Sequence, residues 1–209
     1  MFCGNVHRVS DARCAEVVKV AEGVYRDVNI SLANGLLRVC DSLGVDFWEM
    51  RAAANHQYCN IHEPGMVGGH CIPVYPWFLI NSYDVPLIRL ARRLNDRMVE
   101  YYADRALKLA GKRGKVGVIG LTYRAGIREH RHTQAHRLIK ALRRRGLEVF
   151  GSDPLFTPGE VEELFKVKYF HSHEAVDAVI LTDRFAVEGL VPEKTVDVKG
   201  VFRRRRIGI

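Results

Sequence analysis

The chain has 209 residues, 47% of them hydrophobic and 27% charged, with a formal net charge of +8. That balance suits a folded globular protein of one or two domains and excludes a disordered or fibrous chain. No run approaches the ~20 consecutive apolar residues of a membrane span.

Residues 1–13 lack the basic start and apolar core of a signal peptide, so a cytoplasmic setting is expected. The five cysteines include no Cys-x-x-Cys pair, which argues against a disulfide framework or a zinc site. Histidines gather at His130, His132 and His136 and at His171 and His173, without cysteine or acidic partners at ligand spacing, so no metal is expected. The positive charge suits an anionic partner. Its densest runs, Arg143–Arg145 and Arg203–Arg206, read as a solvated helix end and a disordered tail. No aromatic residues interleave with them as a stacking surface would need, so nucleic acid is not the expected partner.

In chain order, residues 14–43 read as a helix. Val17, Val20, Val24, Val28, Leu32, Leu36 and Val39 recur at three- and four-residue spacing, and Gly44 is a stop. Lys19, Gly23 and Arg26 fall on another face of it. A short helix is expected over 46–56, with Asp46 as its N-cap. Next comes Gly65-Met66-Val67-Gly68-Gly69-His70-Cys71-Ile72-Pro73-Val74-Tyr75-Pro76. Glycines allow positive φ and close approach of a ligand, and the prolines stiffen the exit. Cys71 is either an exposed nucleophile on a rigid mount or a buried thiol behind a tight turn. A second long helix is expected over 85–110, with Leu87, Leu90, Ala91, Leu94, Met98, Tyr101, Tyr102, Arg105 and Leu109 in its stripe. Gly111-Lys112-Arg113-Gly114 is a hinge. Beyond it strands at 115–120, 147–151, 167–170, 178–181 and 196–198 alternate with helices at 133–145 and 158–165, which predicts a parallel sheet covered by helices. Such sheets bind ligands beyond the carboxyl ends of their strands.

Several of these segments carry a resemblance. The Gly65–Cys71 stretch resembles the Gly-x-Gly-Gly-x-Cys active-site loop of the UDP-sugar 6-dehydrogenases, the UDP-glucose/GDP-mannose dehydrogenase family. Its His-Cys-Ile-Pro-Val wording is nearer to the UDP-N-acetylmannosamine branch than to the UDP-glucose branch. Glu16–Leu36 resembles the family helix that carries a catalytic lysine, here Lys19, and Asn95-Asp96 matches a pair in the central helix. Gly120–Ile127 resembles the family's Gly-Leu-x-Tyr-Lys-x-Asn segment, and Arg131, Asp153-Pro154, Thr182 and Lys199 match later positions. Where the family has asparagine and aspartate near the lysine and cysteine, this chain has Gly23 and Tyr75. Gly35, Arg124 and Lys199 replace glutamate, lysine and arginine.

The resemblance implies an α/β protein: a central helical dimerisation region, 1–111, followed by a Rossmann-like sheet domain, 112–209, that binds the UDP-sugar. It implies NAD-dependent oxidation of a sugar CH2OH to a carboxylate, with Cys71 capturing the aldehyde as a thiohemiacetal on the way to a thioester and Lys19 stabilising the oxyanions. Arg124, Asn60, His62, Gly65 and Arg26 would face the UDP-sugar. Arg131 and Lys199 would approach the NAD, and the 85–110 helix would build a homodimer. The Gly-x-Gly-x-x-Gly fingerprint of the family's NAD-binding domain does not occur, and Gly117-x-x-Gly120 is a weak fragment of one. The reading is therefore a truncated or split dehydrogenase completed by a separate N-terminal NAD-binding subunit. The alternative is a non-catalytic UDP-sugar-binding or dimerisation module.

Overall fold

The computed structural model describes residues 6–171, 176–185 and 188–202. Cys3, His173 and the Arg203–Arg206 run lie outside them. Helix α1 spans Ala12–Leu43, opened by Asp11, whose carboxylate accepts the Cys14 N–H at 2.8 Å, and closed by Gly44 in the left-handed region. Helix α2 (Phe47–Ala54) starts where the Asp46 carboxylate accepts the N–H of Trp48 at 2.8 Å. Helix α3 covers Tyr75–Ile80, and α4 runs from Pro86 to Ala110.

The second half alternates β1 (Lys115–Ile119), α5 (Ala135–Arg144), β2 (Glu148–Ser152), α6 (Pro158–Phe165), β3 (Lys168–Tyr169), β4 (Ala178–Leu181) and β5 (Thr195–Asp197). The strands form one parallel sheet in the order β3-β2-β1-β4-β5. Val116 in the central strand faces Val149 on one side and Ala178 on the other. Both faces of such a sheet are covered, so β4 is buried at every position. The main core joins this sheet to α5 and to the inner face of α4: Met98, Tyr102 and Ala106 pack with Val118, Leu138 and Ile180. Helix α4 thus belongs to both regions. A smaller core of Ala33, Cys40, Phe47, Trp48 and Ile61 holds α2 against α1. Among the described residues no helix is long and apolar enough to cross a membrane.

Three sequence expectations change. The stripe read along α1 is only partly its buried face: Val24 is buried and Val20, Val28 and Leu36 are half-buried, but Val17, Leu32 and Val39 are 61%, 54% and 52% exposed, while Gly23, Asp27, Ser31 and Asn34 turn inward. Periodicity alone found the helix but missed the polar residues that fill much of its inner face. Arg143–Arg145 is not simply a solvated helix end. Arg144 and Arg145 reach Glu100 at 2.6 and 2.9 Å, Arg145 also reaches Asp104 at 2.7 Å, and Arg143 donates to the Lys166 carbonyl, so the run ties α5 to α4 and α6. The stiff exit from the cysteine loop is helical: Pro76 occupies the first turn of α3, where its missing N–H needs no partner.

Candidate functional site

Between β1 and β4 the strand order turns back on itself, which opens a crevice at the carboxyl ends of the strands. A cleft of about 440 Å³ lies there, with Gly120 and Thr182 on its floor. The Thr182 hydroxyl donates to the Gly120 carbonyl at 2.8 Å. Gly120 has φ of 94°, and a Cβ on it would stand 2.3 Å from Thr182 Oγ1, so only glycine fits. Asp153, 1% exposed, accepts the N–H groups of Leu121 and Thr122 at 2.8 and 3.3 Å. Asp183 accepts the Ala125 N–H at 3.0 Å. Together they fix the loop that carries Arg124 to the cleft wall.

The opposite wall is the glycine stretch, and a buried polar network mounts it. Asn34 receives the Gly65 N–H at 2.8 Å and donates to the Gly65 carbonyl at 3.0 Å. The same amide donates to Asn95 at 2.9 Å, and Asn95 donates to the Asp27 carboxylate at 2.8 Å, which also accepts from Arg92. Asp27, Asn34, Arg92 and Asn95 are all between 0% and 2% exposed. Burial pushes the Asp27 carboxyl above the usual range, while Arg92 beside it pulls the other way. Past Gly65 the stretch is pinned to the sheet region: Gly69 donates to the His132 carbonyl at 2.9 Å, and the Gln134 amide donates to the Val67 carbonyl at 2.6 Å. A Cβ on Gly68 would meet that His132 carbonyl at 2.9 Å.

Of the residues expected to bind substrate, Arg26, Gly65 and Arg124 line the cleft, joined by Arg184 and Lys199. Arg184 pairs with Glu63 on the cleft rim. Arg26 and Arg124 have no ion-pair partner among the described residues. Asn60 is exposed and outside the cleft lining. His62 is also outside it and sets its ring edge-on to Tyr25, centroids 5.8 Å apart. Burial, then the charges of Arg26 and Arg51, push the His62 imidazole below its ordinary value. The two expected cofactor residues part company. Lys199 lines the cleft and donates to the Pro64 carbonyl at 2.8 Å. Arg131 lies outside the lining and folds onto Glu129, at 3.0 and 2.9 Å, which pulls that carboxyl down to about 2.

Cys71 is exposed at the end of the stretch, and its carbonyl accepts the N–H of Tyr75, the first residue of α3, at 2.9 Å. Lys19 is exposed on α1 and paired with Glu22 at 3.3 Å. The Tyr75 phenol feels both groups: the Cys71 side chain raises its proton affinity, burial adds to this, and the Lys19 charge lowers it.

Sequence pattern alone did not single out Asp27, Asn34, Arg92 or Arg184. The one available signal was polar residues at helical spacing: 27, 31 and 34 on α1 and 92 and 95 on α4.

The described residues do not fit a dinucleotide. After β1 the chain leaves Gly120 into a loop, and the next helix begins only at Ala135. No helix N-terminus therefore follows a glycine turn to hold a pyrophosphate.

The central-domain model of the UDP-glucose/GDP-mannose dehydrogenase family matches residues 13–97, and the family's UDP-binding-domain model matches residues 117–201. The UDP-N-acetyl-D-mannosamine dehydrogenase of Methanocaldococcus jannaschii is 41% identical over 145 residues, 68% of this chain and 34% of that protein. An NDP-N-acetyl-D-galactosaminuronic acid dehydrogenase of Ralstonia solanacearum is 43% identical over 141 residues, 64% of this chain and 33% of that protein. A solved UDP-N-acetyl-mannosamine dehydrogenase from S. aureus superposes with a TM-score of 0.73 at 32% identity, over 92% of this chain and 49% of the other. The chain spans about a third of the length of the curated relatives it matches. On the two domain matches and these relatives, the chain belongs to the UDP-glucose/GDP-mannose dehydrogenase family.

Proposed function

We propose that this chain is the UDP-sugar-binding and cysteine-bearing part of an NAD-dependent UDP-sugar 6-dehydrogenase, with UDP-N-acetylmannosamine or a close relative as substrate. The observation that carries this is the cleft at the strand-order reversal. It gathers Arg26, Arg124, Arg184 and Lys199 along the glycine stretch that leads to Cys71. Planar guanidinium groups suit the oxygens of a diphosphate, and a crevice at the carboxyl edge of a parallel sheet suits a nucleotide. The thiolate of Cys71 then attacks the sugar aldehyde, and Lys19 stabilises the oxygen that becomes negative. NAD, the hydride acceptor of such a reaction, is held by polypeptide outside these 209 residues, on this chain or on a second subunit. The setting is cytoplasmic supply of nucleotide sugars for polysaccharide synthesis. The assembly is a homodimer that uses the outer turns of α4, where Leu87 and Leu90 are 68% and 65% exposed.

Titration calorimetry of the purified chain with UDP-N-acetylmannosamine and with UDP-glucose tests the reading. Binding that weakens at least tenfold in Arg124→Ala supports it. Failure of both sugars to bind sinks it. A second reading, a UDP-sugar-binding module without turnover, is favoured by Tyr75 standing beside Cys71 where the family has a carboxylate. Addition of a relative's NAD-binding domain with NAD decides between the two: absorbance of the reduced nicotinamide supports the enzyme, and bound sugar without it supports the module.

A further inference from the structure

Helix α5 carries basic residues on two flanks and no carboxylate. Arg137, Arg144 and Arg145, just past its last turn, make up the first flank, and each meets α4. Arg137 reaches Asp96 at 2.9 Å, Arg144 and Arg145 reach Glu100 at 2.6 and 2.9 Å, and Arg145 reaches Asp104 at 2.7 Å. The three carboxylates recur every four residues, so α4 presents them as one acidic stripe. The molecule shows on itself what covers a basic flank of α5.

The second flank has no such cover. His136, Lys140 and Arg143 follow at four- and three-residue spacing and share a face turned toward the end of α6. A groove of about 470 Å³ lies there, lined by these three with Arg144, Phe165 and Lys166, and no carboxylate lines it. Among the described residues Lys140 and Lys166 have no ion-pair partner. Arg143 donates to the Lys166 carbonyl, a neutral acceptor, so its charge stays uncompensated. His136 walls the groove, its ring stacked on Phe165 with centroids 4.9 Å apart. Lys166 closes α6 at φ of 59°, the left-handed region where glycine is the ordinary occupant. A lysine in that place costs backbone energy that glycine would not, and it sets a third full positive charge at the groove. The groove shares no lining residue with the UDP-sugar cleft.

Shape and charge narrow the partner. The stripe from 136 to 143 is roughly 10 Å long at 1.5 Å per residue, about two helical turns. It is recessed, which suits a rod-like segment better than a flat lipid surface. The Phe165 face is taken by His136, which leaves no open ring for a base to stack on. We propose that this groove docks an acidic helical segment of another polypeptide. Carboxylates at four-residue spacing on that segment meet Lys140, Arg143 and Lys166, as Asp96, Glu100 and Asp104 meet the other flank. The docking stands on these charges and not on sugar binding.

The experiment is fluorescence anisotropy of the full chain with a labelled alanine-based peptide carrying glutamates at i, i+4 and i+8. The peptide binds, its affinity falls as salt is added, and a glutamine version does not bind. Lys140→Gln weakens binding by about two- to fivefold, the worth of an exposed ion pair. Lys166→Gly is the sharper variant. It loses a similar factor in affinity while its melting temperature holds or rises, because glycine relieves the left-handed backbone. Lys112→Gln, which removes a charge outside the groove, keeps the wild-type affinity. Unchanged affinity in both groove variants overturns the proposal. So does an equal loss in Lys112→Gln, which would show attraction to net charge alone. Failure of the glutamate peptide to bind also overturns it, as does preference for a DNA duplex or phosphatidylserine vesicles at the same salt.

Discussion

In the sheet half the interior is largely apolar, Asp153 apart: Val116, Val118, Leu138, Leu142 and Ile180 are each fully buried. In the helical half the least exposed side chains include Asp27, Asn34, Arg92 and Asn95, while Val17, Leu32, Val39, Leu87 and Leu90 face outward. The difference separates two tasks. Burying apolar area supplies most of the folding free energy, roughly 25 cal/mol per Å². A buried ion pair supplies little net stability, because desolvation offsets its attraction, but it fixes where its neighbours go. Here the polar interior fixes Gly65 and the stretch beyond it, and the sheet half anchors that stretch through His132 and Gln134. The outward leucines of α4 are the face on which the proposed homodimer rests.

Breaking the polar interior gives the largest expected effect. Arg92→Ala leaves the Asp27 carboxylate buried and unpaired, which costs about 3–5 kcal/mol in urea denaturation. An Asp27→Leu, Arg92→Met double variant recovers most of that loss. If it does not, the pair contributes stability as well as position. Next is Asn34→Ala. It strips both backbone groups of Gly65 of their partner and costs about 1–3 kcal/mol. It also weakens UDP-sugar binding in calorimetry, although Asn34 is absent from the cleft lining. An unchanged affinity would separate the network from the site. Leu90→Lys sharpens the other side of the contrast. Stability shifts by less than about 0.5 kcal/mol, as for most surface changes, while sedimentation reports loss of the dimer. The smallest effect concerns His62. Its imidazole is held below the ordinary value, so the unfolded chain binds more protons than the folded one. Stability is therefore full above about pH 6.5 and falls as pH drops through and below it. A His62→Gln variant lacks that acid loss, which melting curves at pH 7 and pH 5 compare.

Much of the fold was legible in the sequence. Asp11 was not foreseen as a cap, but Asp46, Gly44 and Gly111 marked helix ends correctly, and α6 and β4 lie where the pattern put them. What failed did so for identifiable reasons. Hydrophobic spacing along α1 could not give the whole buried face, because beside Val24 and Ala33 it holds Gly23, Asp27, Ser31 and Asn34, and Asp27 and Asn34 find their partners on α4 and at Gly65. The Arg143–Arg145 run looked solvated because its partners, Glu100 and Asp104, are some 40 positions away in the sequence, on another helix. At the site, Gly23 and Tyr75 read as two unrelated departures, and only three-dimensional contact makes them complementary. Arg26, Gly65 and Arg124 share a cleft, but no spacing in the sequence foretells that Arg184 joins them from beyond β4.

Helix α4 has 25 residues, a rod of roughly 37 Å at 1.5 Å per residue. One end carries exposed leucines, its middle holds Arg92 and Asn95, and its far end is sunk in the sheet core. It therefore acts as a tie-rod. The helix that presents Leu87 and Leu90 outward is the same one whose Asn95 bonds Asn34, the residue that holds Gly65 at the cleft, so a single element spans the outer face and the mount of the glycine stretch.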